Sequence, residues 1–420
     1  MQKECRIDVR SEIGKLGGVI LHTPGREVEN MTPGNVERAL YSDILNLSVV
    51  SKEYSQMRDV LSRITTTYQI KELLEDVLMN SKVKENLVEK ICENEDVNDI
   101  RDELLEMENV DLATALIEGT EKRVDSLAKF LSKARYSLKP LHNFFFVRDA
   151  SVSVGDSVLI GRMKNKVRGR ESLIMETIFD FHPVFKTKTF NPLNSPKLNE
   201  RLSVEGGDIL ILRDDILLIG IGARTSPQGV DYIIEKMNEQ KKKMEIIVQE
   251  LPMEPESFIH LDMVFTMLDK DKCMIYEPAI LSPNKYQTVR ISLDNGKVVS
   301  IREEKNILEI LAKLGLDLEP VYCGGRKDSW IQEREQWHSG ANFFAIGEGK
   351  VIGYGRNSYT IDEMNSNGFE VLKAIDIIKN KVNVEDYKKY VITIRGGELS
   401  RGGGGCRCMT MPLRRDSVNW

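Results

Sequence analysis

The sequence predicts an α/β fold, a five-unit pseudo-symmetric ββαβ propeller that carries an inserted α-helical bundle. One observation behind this prediction is a repeated pattern, in which two apolar strands are followed by a basic segment, a helix and a third strand. Repeats of this length indicate stacked units that share one core. The other observation is that residues 35–118 contain no Gly or Pro, in a chain with 30 Gly and 13 Pro. Such a stretch favours helices, because these two residues are the ones that interrupt them.

Three copies of the pattern are clear, at residues 143–190, 208–250 and 341–374. In the first, FFFV and SVLIG predict the strand pair, ESLIMETIFDF the helix and KTKTF the third strand; in the last, FEVLKAI predicts the third strand. A looser copy begins at His260 and includes a long excursion before its helix NILEILAKLG. The fifth copy combines GGGGCRCMTMP with GGVILH from the other end of the chain, followed by a helix near residues 36–63 and the strand ITTTYQI.

A unit of this kind buries its apolar face only against its neighbours, so five units predict a closed ring. Pairing strands from both ends of the chain removes a free sheet edge. The residues that open each unit would then face a common axis, where we expect the chemistry. We predict a catalytic ring domain of residues 1–71 and 138–420, and a helical insertion domain of residues 72–137.

Charge and cysteine content limit the class of protein. The chain has 59 Lys and Arg against 65 Asp and Glu, a formal net charge of −6. A surface that follows phosphates needs a basic excess, so nucleic acids and anionic membranes are not expected partners. No segment approaches the roughly 18 apolar residues of a membrane span, and the charged N-terminal segment lacks a signal-peptide core, which predicts a cytoplasmic protein. The six scattered cysteines are expected to be thiols.

Polar clusters open four of the units, and all of them occupy the same phase of the repeat. Taken alone, EGGD is more often a turn whose glycines adopt positive φ, and a single His in an apolar strand is more often a hydrogen-bonded core residue. The shared phase instead favours one common site. The clusters are Asn143, Arg148 and Asp149; Glu205 and Asp208; His260 and Asp262; and Cys406 and Cys408.

Six segments together resemble the arginine deiminase family, which belongs to the guanidine-group-modifying superfamily. The resemblance covers essentially the whole chain, including the helical insertion that the related dimethylarginine hydrolases lack. It implies hydrolysis of free L-arginine to L-citrulline and ammonia in a fermentative pathway, no metal or cofactor, and a homo-oligomer, dimer or tetramer. The segments are ELSRGGGGCRCMTMP, EGGD, HLD, the stretch from Asn143 to Asp149, SEIGKLGGVILHTPGREVENMTP and REQWHSGANFFAIGEGKVIGYGRN.

The resemblance implies a role for each catalytic residue, and the residue types suit those roles. A guanidinium is a planar cation with five donors, which paired carboxylates can hold; Asp149 and Asp262 match the family's clamps. Cys408 matches the nucleophile, and a thiolate suits addition to a weakly electrophilic carbon. His260 matches the group that serves as acid and then base, with Glu205 holding the imidazole. A covalent S-alkylthiouronium intermediate is implied. Because two carboxylates surround it, we expect Cys408 to stay protonated until the cationic substrate binds.

The resemblance also implies substrate-binding residues. Arg168 and Arg224 match positions that bind the α-carboxylate, since Arg pairs with carboxylates through two hydrogen bonds. Asn143 and Phe146 match positions near the substrate backbone and alkyl chain, and Asp208 is expected on the substrate side.

Departures from the family pattern and alternative functions remain open at this point. Gly403 stands where some members carry a gating Arg, with Arg401 two residues earlier, and Arg407 stands where other members have His. Cys406 adds a C-x-C, for which inert packing is favoured over redox sensitivity. The nearest alternative function is a related guanidine hydrolase acting on agmatine, methylated arginine or peptidyl-arginine. Another is a catalytically silent arginine-binding or moonlighting protein.

Overall fold

Five β-sheets in the computed structural model share one arrangement. In each, an antiparallel hairpin is followed by a strand that pairs in parallel with the second hairpin strand. The structure describes residues 4–32, 43–132, 134–196, 199–281 and 285–420. The α/β class is confirmed, and closure of the five sheets into a ring stays a prediction.

We number the sheets by the chain position of their first strand, so that the sheet that joins both chain ends is the fifth. Each sheet is given from the first hairpin strand outward. They are Ser151–Val154, Ser157–Ile160 and Lys188–Phe190; Ile209–Arg213, Ile216–Ile221, Met244–Glu250, Thr288–Asp294 and Lys297–Glu304; Phe265–Met267, Lys272–Ile275 and Glu319–Tyr322; Phe344–Gly347, Lys350–Tyr354, Tyr390–Ile394 and Glu370–Lys373; and Met411–Arg415, Leu16–Leu21 and Thr67–Gln69.

The second and fourth sheets are larger than the repeat predicts. The long excursion after His260 forms the hairpin Thr288–Asp294 and Lys297–Glu304, which extends the second sheet. In the fourth sheet, we predicted that FEVLKAI would pair with the second hairpin strand. It instead forms the edge strand Glu370–Lys373, and Tyr390–Ile394 pairs with the second hairpin strand. The reason is burial: four of the five residues of YVITI are buried, against one of the four in EVLK. Two further two-stranded ladders join Cys5–Arg6 to Phe185–Lys186 and Thr120–Glu121 to Tyr136–Leu138.

The strand predicted at FFFV is wrong. Residues 142–145 form turns, the short helix Val147–Ala150 follows, and the first strand begins at Ser151. The aromatic side chains explain the difference, because Phe144 packs in one apolar cluster while Phe145 and Phe146 pack in another. A turn can direct neighbouring side chains into separate cores, and an apolar run alone does not distinguish this from a buried strand.

The region predicted as a bundle, residues 72–137, is helical up to Glu118 and then includes the ladder of Thr120–Glu121 with Tyr136–Leu138. We call residues 70–118 the helical stretch; its helices are Ile70–Leu78, Ser81–Glu95, Arg101–Glu106 and Asn109–Glu118. Its apolar side chains form one cluster with residues of the first and fifth sheets, among them Ile160 and Met411. The domain boundaries at 72 and 137 therefore stay a prediction.

The helices outside the helical stretch follow the predicted order, but the helix predicted near residues 36–63 differs in where it begins. The helix Leu47–Ile64 begins after Asn46, whose side chain accepts hydrogen bonds from the N–H groups of Ser48 and Val49. We predicted helix from about residue 36; residues 36–42 lie outside the described residues. None of the described helices is long and apolar enough to cross a membrane. The other helices are Arg26–Glu29, Leu127–Leu131, Gly169–Phe181, Pro227–Glu239, Glu277–Ile280, Ile307–Lys313, Ser329–Trp337, Ser358–Ser366 and Ala374–Ile378.

A short turn or helical segment precedes the first strand of each of the five sheets, and these segments bring the polar clusters together. The turn Gly206–Asp208 illustrates how closely these segments pack, because a Cβ on Gly206 would lie 2.1 Å from the carbonyl oxygen of Arg148. A Cβ on Gly207 would lie 2.6 Å from the His260 ring. Neither glycine has a positive φ. EGGD therefore needs glycine for close approach, and the positive φ that we associated with it is not observed.

Candidate active site

A cleft of about 690 Å³ opens where these turns meet. Seven of the ten predicted site residues line it, and Glu205, Asp208 and Asp262 lie behind its wall. Glu256, Trp337 and Gly404 also line the cleft and were not among the predicted residues. The seven are Asn143, Phe146, Asp149, Arg168, Arg224, His260 and Cys408.

Cys408 is buried at the base of this cleft beside two carboxylates. Its Sγ lies 3.7 Å and 3.9 Å from the two carboxylate oxygens of Asp262. Burial and the charges of Asp262 and Asp149 raise the pKa of the Cys408 thiol well above its ordinary value. The thiol is therefore protonated at neutral pH, in the direction that we predicted from the sequence.

Asp262 is held in turn by a buried ion-pair chain. Arg407 Nη1 donates to Asp262 Oδ2 at 2.8 Å, and Arg407 Nε donates to Glu12 Oε2 at 3.0 Å. Burial alone would raise the pKa of Glu12, but the Arg407 guanidinium outweighs it and lowers that pKa to about 2. The Arg407 guanidinium therefore keeps the Glu12 carboxylate ionised at neutral pH although both groups are buried.

His260 lies between two carboxylates. Its Nε2 is 2.9 Å from Glu205 Oε2, and its Nδ1 is 3.6 Å from Asp149 Oδ1. Burial favours the neutral ring, but the charge of Asp149 and the hydrogen bond that the ring donates to Glu205 outweigh it and raise the pKa of His260 to about 9. The imidazole is thus a cation at neutral pH and can act as an acid.

Arg168 is already paired within the protein. Its Nη1 donates to Asp149 Oδ2 at 2.6 Å, and its Nη2 donates to Glu171 Oε2 at 2.7 Å. Asp149 Oδ1 has no hydrogen-bond partner among the residues that the structure describes, so that oxygen can accept from a ligand. Arg224 is less tightly held, with Nη1 4.0 Å from Glu205 Oε1. Of the two predicted carboxylate-binding arginines, Arg224 is the one with donors to spare.

Asp208 is placed behind His260, away from the cleft. Its Oδ1 accepts from the backbone N–H of Leu261 at 2.9 Å, which fixes the turn that carries His260. Burial raises the pKa of Asp208 to about 7. Its predicted contact with substrate stays a prediction.

The glycine loop before Cys408 forms part of the cleft wall without a side-chain gate. Gly403 has φ +81°, and a Cβ there would meet nothing within 4 Å. Arg401 points elsewhere and donates to Glu398 at 3.0 Å. A Cβ on Gly404 would lie 2.4 Å from the Phe146 ring, so this loop must pack directly against that ring.

Three acidic or amide residues of the site were missed by the sequence analysis. Glu12 holds Arg407, Glu171 holds Arg168, and Asn342 donates from Nδ2 to Cys408 Sγ at 3.2 Å. Asn342 occupies the turn before the first strand of the fourth sheet, the same phase as the other clusters, so the repeat could have revealed it. Glu12 and Glu171 have no such signal, because only the folded chain brings them to their arginines.

Three groups of the site could in principle hold a metal ion. One ligand atom each from Asp149, Glu205 and His260 lie within 4.8 Å of one another. Arg168 and Arg224 already lie against the two carboxylates and offset their charge. Metal-free chemistry therefore remains our prediction for this set of donors.

Comparison with known sequences identifies close relatives. The family described as arginine deiminase matches residues 37–415. An arginine deiminase of Bacillus cereus is 33% identical over 435 residues, covering 98% of this chain and 99% of the relative. An arginine deiminase of Listeria monocytogenes is 33% identical over 439 residues and covers 100% of both chains.

Solved structures share the fold at low sequence identity. The N-terminal domain of ArgZ, an arginine dihydrolase from the ornithine-ammonia cycle in cyanobacteria, has a TM-score of 0.53 at 12% identity and covers 95% of this chain and 97% of its own. A dimethylarginine dimethylaminohydrolase has a TM-score of 0.50 at 14% identity, with 94% and 99% covered.

Proposed function

The chain belongs to the arginine deiminase family, whose enzymes act on a guanidino C–N bond of arginine, and from this premise we propose that it hydrolyses free L-arginine to L-citrulline and ammonia. The observation that carries the proposal is the cleft itself, which brings a thiol, a cationic imidazole and two carboxylates together. A guanidinium between the carboxylates would place its central carbon beside the Cys408 sulfur.

Binding of the substrate prepares the nucleophile. The guanidinium donates hydrogen bonds to Asp149 Oδ1, which has no partner in the described part of the chain, and to the Asp262 carboxylate. The positive charge offsets the two carboxylates that raise the pKa of Cys408. The thiol then loses its proton to solvent, and the thiolate adds to the guanidino carbon.

His260 completes both halves of the reaction. Its imidazolium gives a proton to the departing nitrogen as the C–N bond breaks, which releases ammonia and leaves an S-alkylthiouronium on Cys408. The neutral ring then takes a proton from water, whose oxygen adds to the same carbon. Breaking of the C–S bond regenerates the thiolate, and loss of the remaining hydroxyl proton to solvent gives L-citrulline. Glu205 holds the imidazole in both steps through its 2.9 Å contact.

The amino-acid end of the substrate lies toward the cleft opening. Arg224 binds the α-carboxylate, and Arg168 assists from its place beside Asp149. Asn143 and Phe146 contact the substrate backbone and alkyl chain. Asp208 acts on the substrate indirectly, by fixing the turn that carries His260.

We further propose that the five sheets close into a propeller-like ring. The same hairpin-plus-parallel-strand order in all five sheets supports this, as does the fifth sheet, which joins Met411–Arg415 to Leu16–Leu21. Residues 1–71 and 138–420 would form the ring, and residues 72–137 the insertion.

The cellular setting is inferred from the cysteines and the family. All six cysteines are unpaired and buried, which suits the reducing cytoplasm. We propose a cytoplasmic homo-oligomer, dimer or tetramer, that acts without cofactor at the first step of fermentative arginine degradation. Sedimentation equilibrium of the purified protein tests the assembly, and a monomer at all concentrations would contradict it.

Turnover of L-arginine is the decisive experiment. Purified protein incubated with L-arginine should form citrulline and ammonia in equal amounts, and His260→Ala should form no measurable citrulline. Agmatine serves as the comparison substrate, because it keeps the guanidinium and lacks the carboxylate that Arg224 would bind. Faster turnover of agmatine would favour a related guanidine hydrolase. Folded protein without any turnover would favour a silent arginine-binding protein.

A further inference from the structure

The side chain of Asn342 connects the nucleophile turn to the Asp262 turn. Its Nδ2 donates to Cys408 Sγ at 3.2 Å and to the backbone carbonyl oxygen of Asp262 at 3.0 Å. Its Oδ1 accepts from the backbone N–H groups of Arg407 at 2.9 Å and Cys408 at 3.3 Å. The residue is buried, so all four contacts form away from solvent.

The orientation of this amide is fixed by its neighbours. Two backbone N–H groups point at one end of the side chain, and only an oxygen can accept from both. The nitrogen must therefore face the sulfur. Gly405 allows this approach, because a Cβ at that position would lie 2.5 Å from Asn342 Oδ1.

The charges around the Cys408 sulfur indicate what the hydrogen bond from Asn342 does. Burial and the charges of Asp262 and Asp149 oppose the thiolate, whereas a backbone hydrogen bond from Gly405 and the charge of Arg407 favour it. Within the described ranges, Asn342 is the only side chain that donates a hydrogen bond to Cys408 Sγ. A donor to a charged group stabilises its charged form, and the effect is larger where water is excluded.

We propose that Asn342 is a catalytic residue that stabilises the Cys408 thiolate by hydrogen bonding while fixing the sulfur beside Asp262. The proposal rests on the proposed function. When the guanidinium binds, it offsets the carboxylates, and the Asn342 amide adds a side-chain donor to the backbone hydrogen bond from Gly405. The same donor stays on the sulfur when the C–S bond breaks and the thiolate leaves.

The test separates this role from a structural one through Asn342→Asp. Aspartate has the same size and keeps an oxygen for the N–H groups of Arg407 and Cys408, but its carboxylate does not donate to sulfur. Asn342→Ala removes both functions. The matched control is Asn357→Ala, because Asn357 is also a buried amide, and it donates to the carbonyl oxygen of His338 outside the catalytic contacts.

Two readouts are measured on each variant. The first is kcat for arginine, which should fall about 10²-fold or more in both Asn342 variants, as for loss of a preorganised donor, with a smaller change in KM. The second is the rate of Cys408 alkylation by iodoacetamide, corrected with Cys408→Ser protein. It should fall about tenfold in Asn342→Asp, for a rise of one unit in the thiol pKa. Asn357→Ala should leave both unchanged.

The outcomes distinguish the two hypotheses. Folded Asn342→Asp with wild-type kcat and wild-type alkylation would overturn the proposal. Loss of kcat with unchanged alkylation would also overturn it, since the residue would then act only on structure. If Asn342→Ala does not fold, Asn342→Asp still decides the question. Wild-type protein without arginine turnover would refute the proposed function, whereas the alkylation rates still report on Asn342.

Discussion

The helical stretch and the cleft treat charged residues in opposite ways. Every fully buried side chain in residues 70–118 is apolar, while the Glu, Lys and Asp residues of that stretch stay at least partly exposed. The segments around the cleft instead bury a dense set of charged residues, several of which form ion pairs with one another. The set comprises Glu12, Arg148, Asp149, Arg168, Glu171, Glu205, Asp208, His260, Asp262 and Arg407.

This difference shows where the chain obtains stability and where it obtains chemistry. Apolar packing in the helical stretch stabilises the fold in proportion to the area removed from water. Buried ion pairs contribute little net stability, because desolvation offsets their attraction, yet losing one partner is costly. Substitutions in the helical stretch should therefore change unfolding, and substitutions in the cleft should change turnover.

Replacing one sulfur in each region is the strongest test. Cys408→Ser should lower kcat by about 10³-fold or more, because a hydroxyl at this position is a much weaker nucleophile. Cys92→Ser is the matched control, since Cys92 is also fully buried but lies in the helix Ser81–Glu95. It should keep wild-type kcat and lose about 1–3 kcal/mol of unfolding free energy, because its hydroxyl is buried among apolar groups. Similar effects of both variants on kcat would contradict the division.

Removing the charge of Glu12 should affect both properties. Glu12→Gln leaves Arg407 with one fewer buried partner, which should cost about 3–5 kcal/mol of unfolding free energy and lower kcat through the displaced Asp262. The folded pKa of Glu12 is lowered from 4.5 to about 2, so its contribution is complete above pH 4.5 and is lost as pH falls toward 2. Denaturant unfolding across this interval should show a smaller pH dependence in Glu12→Gln than in wild type. Equal slopes would show that Glu12 is not the responsible group.

A cavity in the helical stretch should destabilise without inactivating. Leu87→Ala, at a fully buried position, should cost about 2–5 kcal/mol by calorimetry or denaturant unfolding. Its kcat below the unfolding transition should equal that of wild type. Glu89→Ala, two residues away and exposed, is the control and should change stability by less than about 0.5 kcal/mol. A large loss of kcat in folded Leu87→Ala would show that the two regions are coupled.

The pH dependence of turnover should report the cleft alone. The pKa of His260 is raised to about 9, so the imidazolium that protonates the departing nitrogen is fully populated well below that value and declines as pH rises through it. The rate of the ammonia-releasing step should fall about tenfold per pH unit above 9. Single-turnover kinetics measure this step, and thermal unfolding of the same samples serves as control. A rate that stays constant well above pH 9 would exclude His260 as the acid.

Sequence patterns predicted what depends on local periodicity. The hairpins, the helices after them and the shared phase of the clusters are local properties, and apart from the FFFV segment the structure places them in the predicted order. The order of Tyr390–Ile394 and Glu370–Lys373 in the fourth sheet was not predictable, because burial against other units decides it. The FFFV segment was misassigned since an apolar run fits a strand and a buried turn equally well.

Site contacts divide along the same line. The polar residues that open the units could be found from the repeat, and the family resemblance supplied their proposed roles. The partners Glu12 and Glu171 could not be found from the repeat, because their contacts depend on how the folded chain packs. The pairing of Arg168 with Asp149 likewise depends on the folded geometry. This arginine therefore holds the Asp149 carboxylate in addition to its proposed role in binding the substrate.

The ion pair between Glu12 and Arg407 joins residues 395 positions apart in the chain. During translation, the Glu12 carboxylate is therefore synthesised long before the Arg407 guanidinium with which it pairs. Until then Asp262 lacks the Arg407 guanidinium, and Cys408, the proposed nucleophile, has not been synthesised. With the proposed mechanism, a nascent chain does not consume arginine during its translation, and a fragment that ends before residue 408 is expected to be inactive.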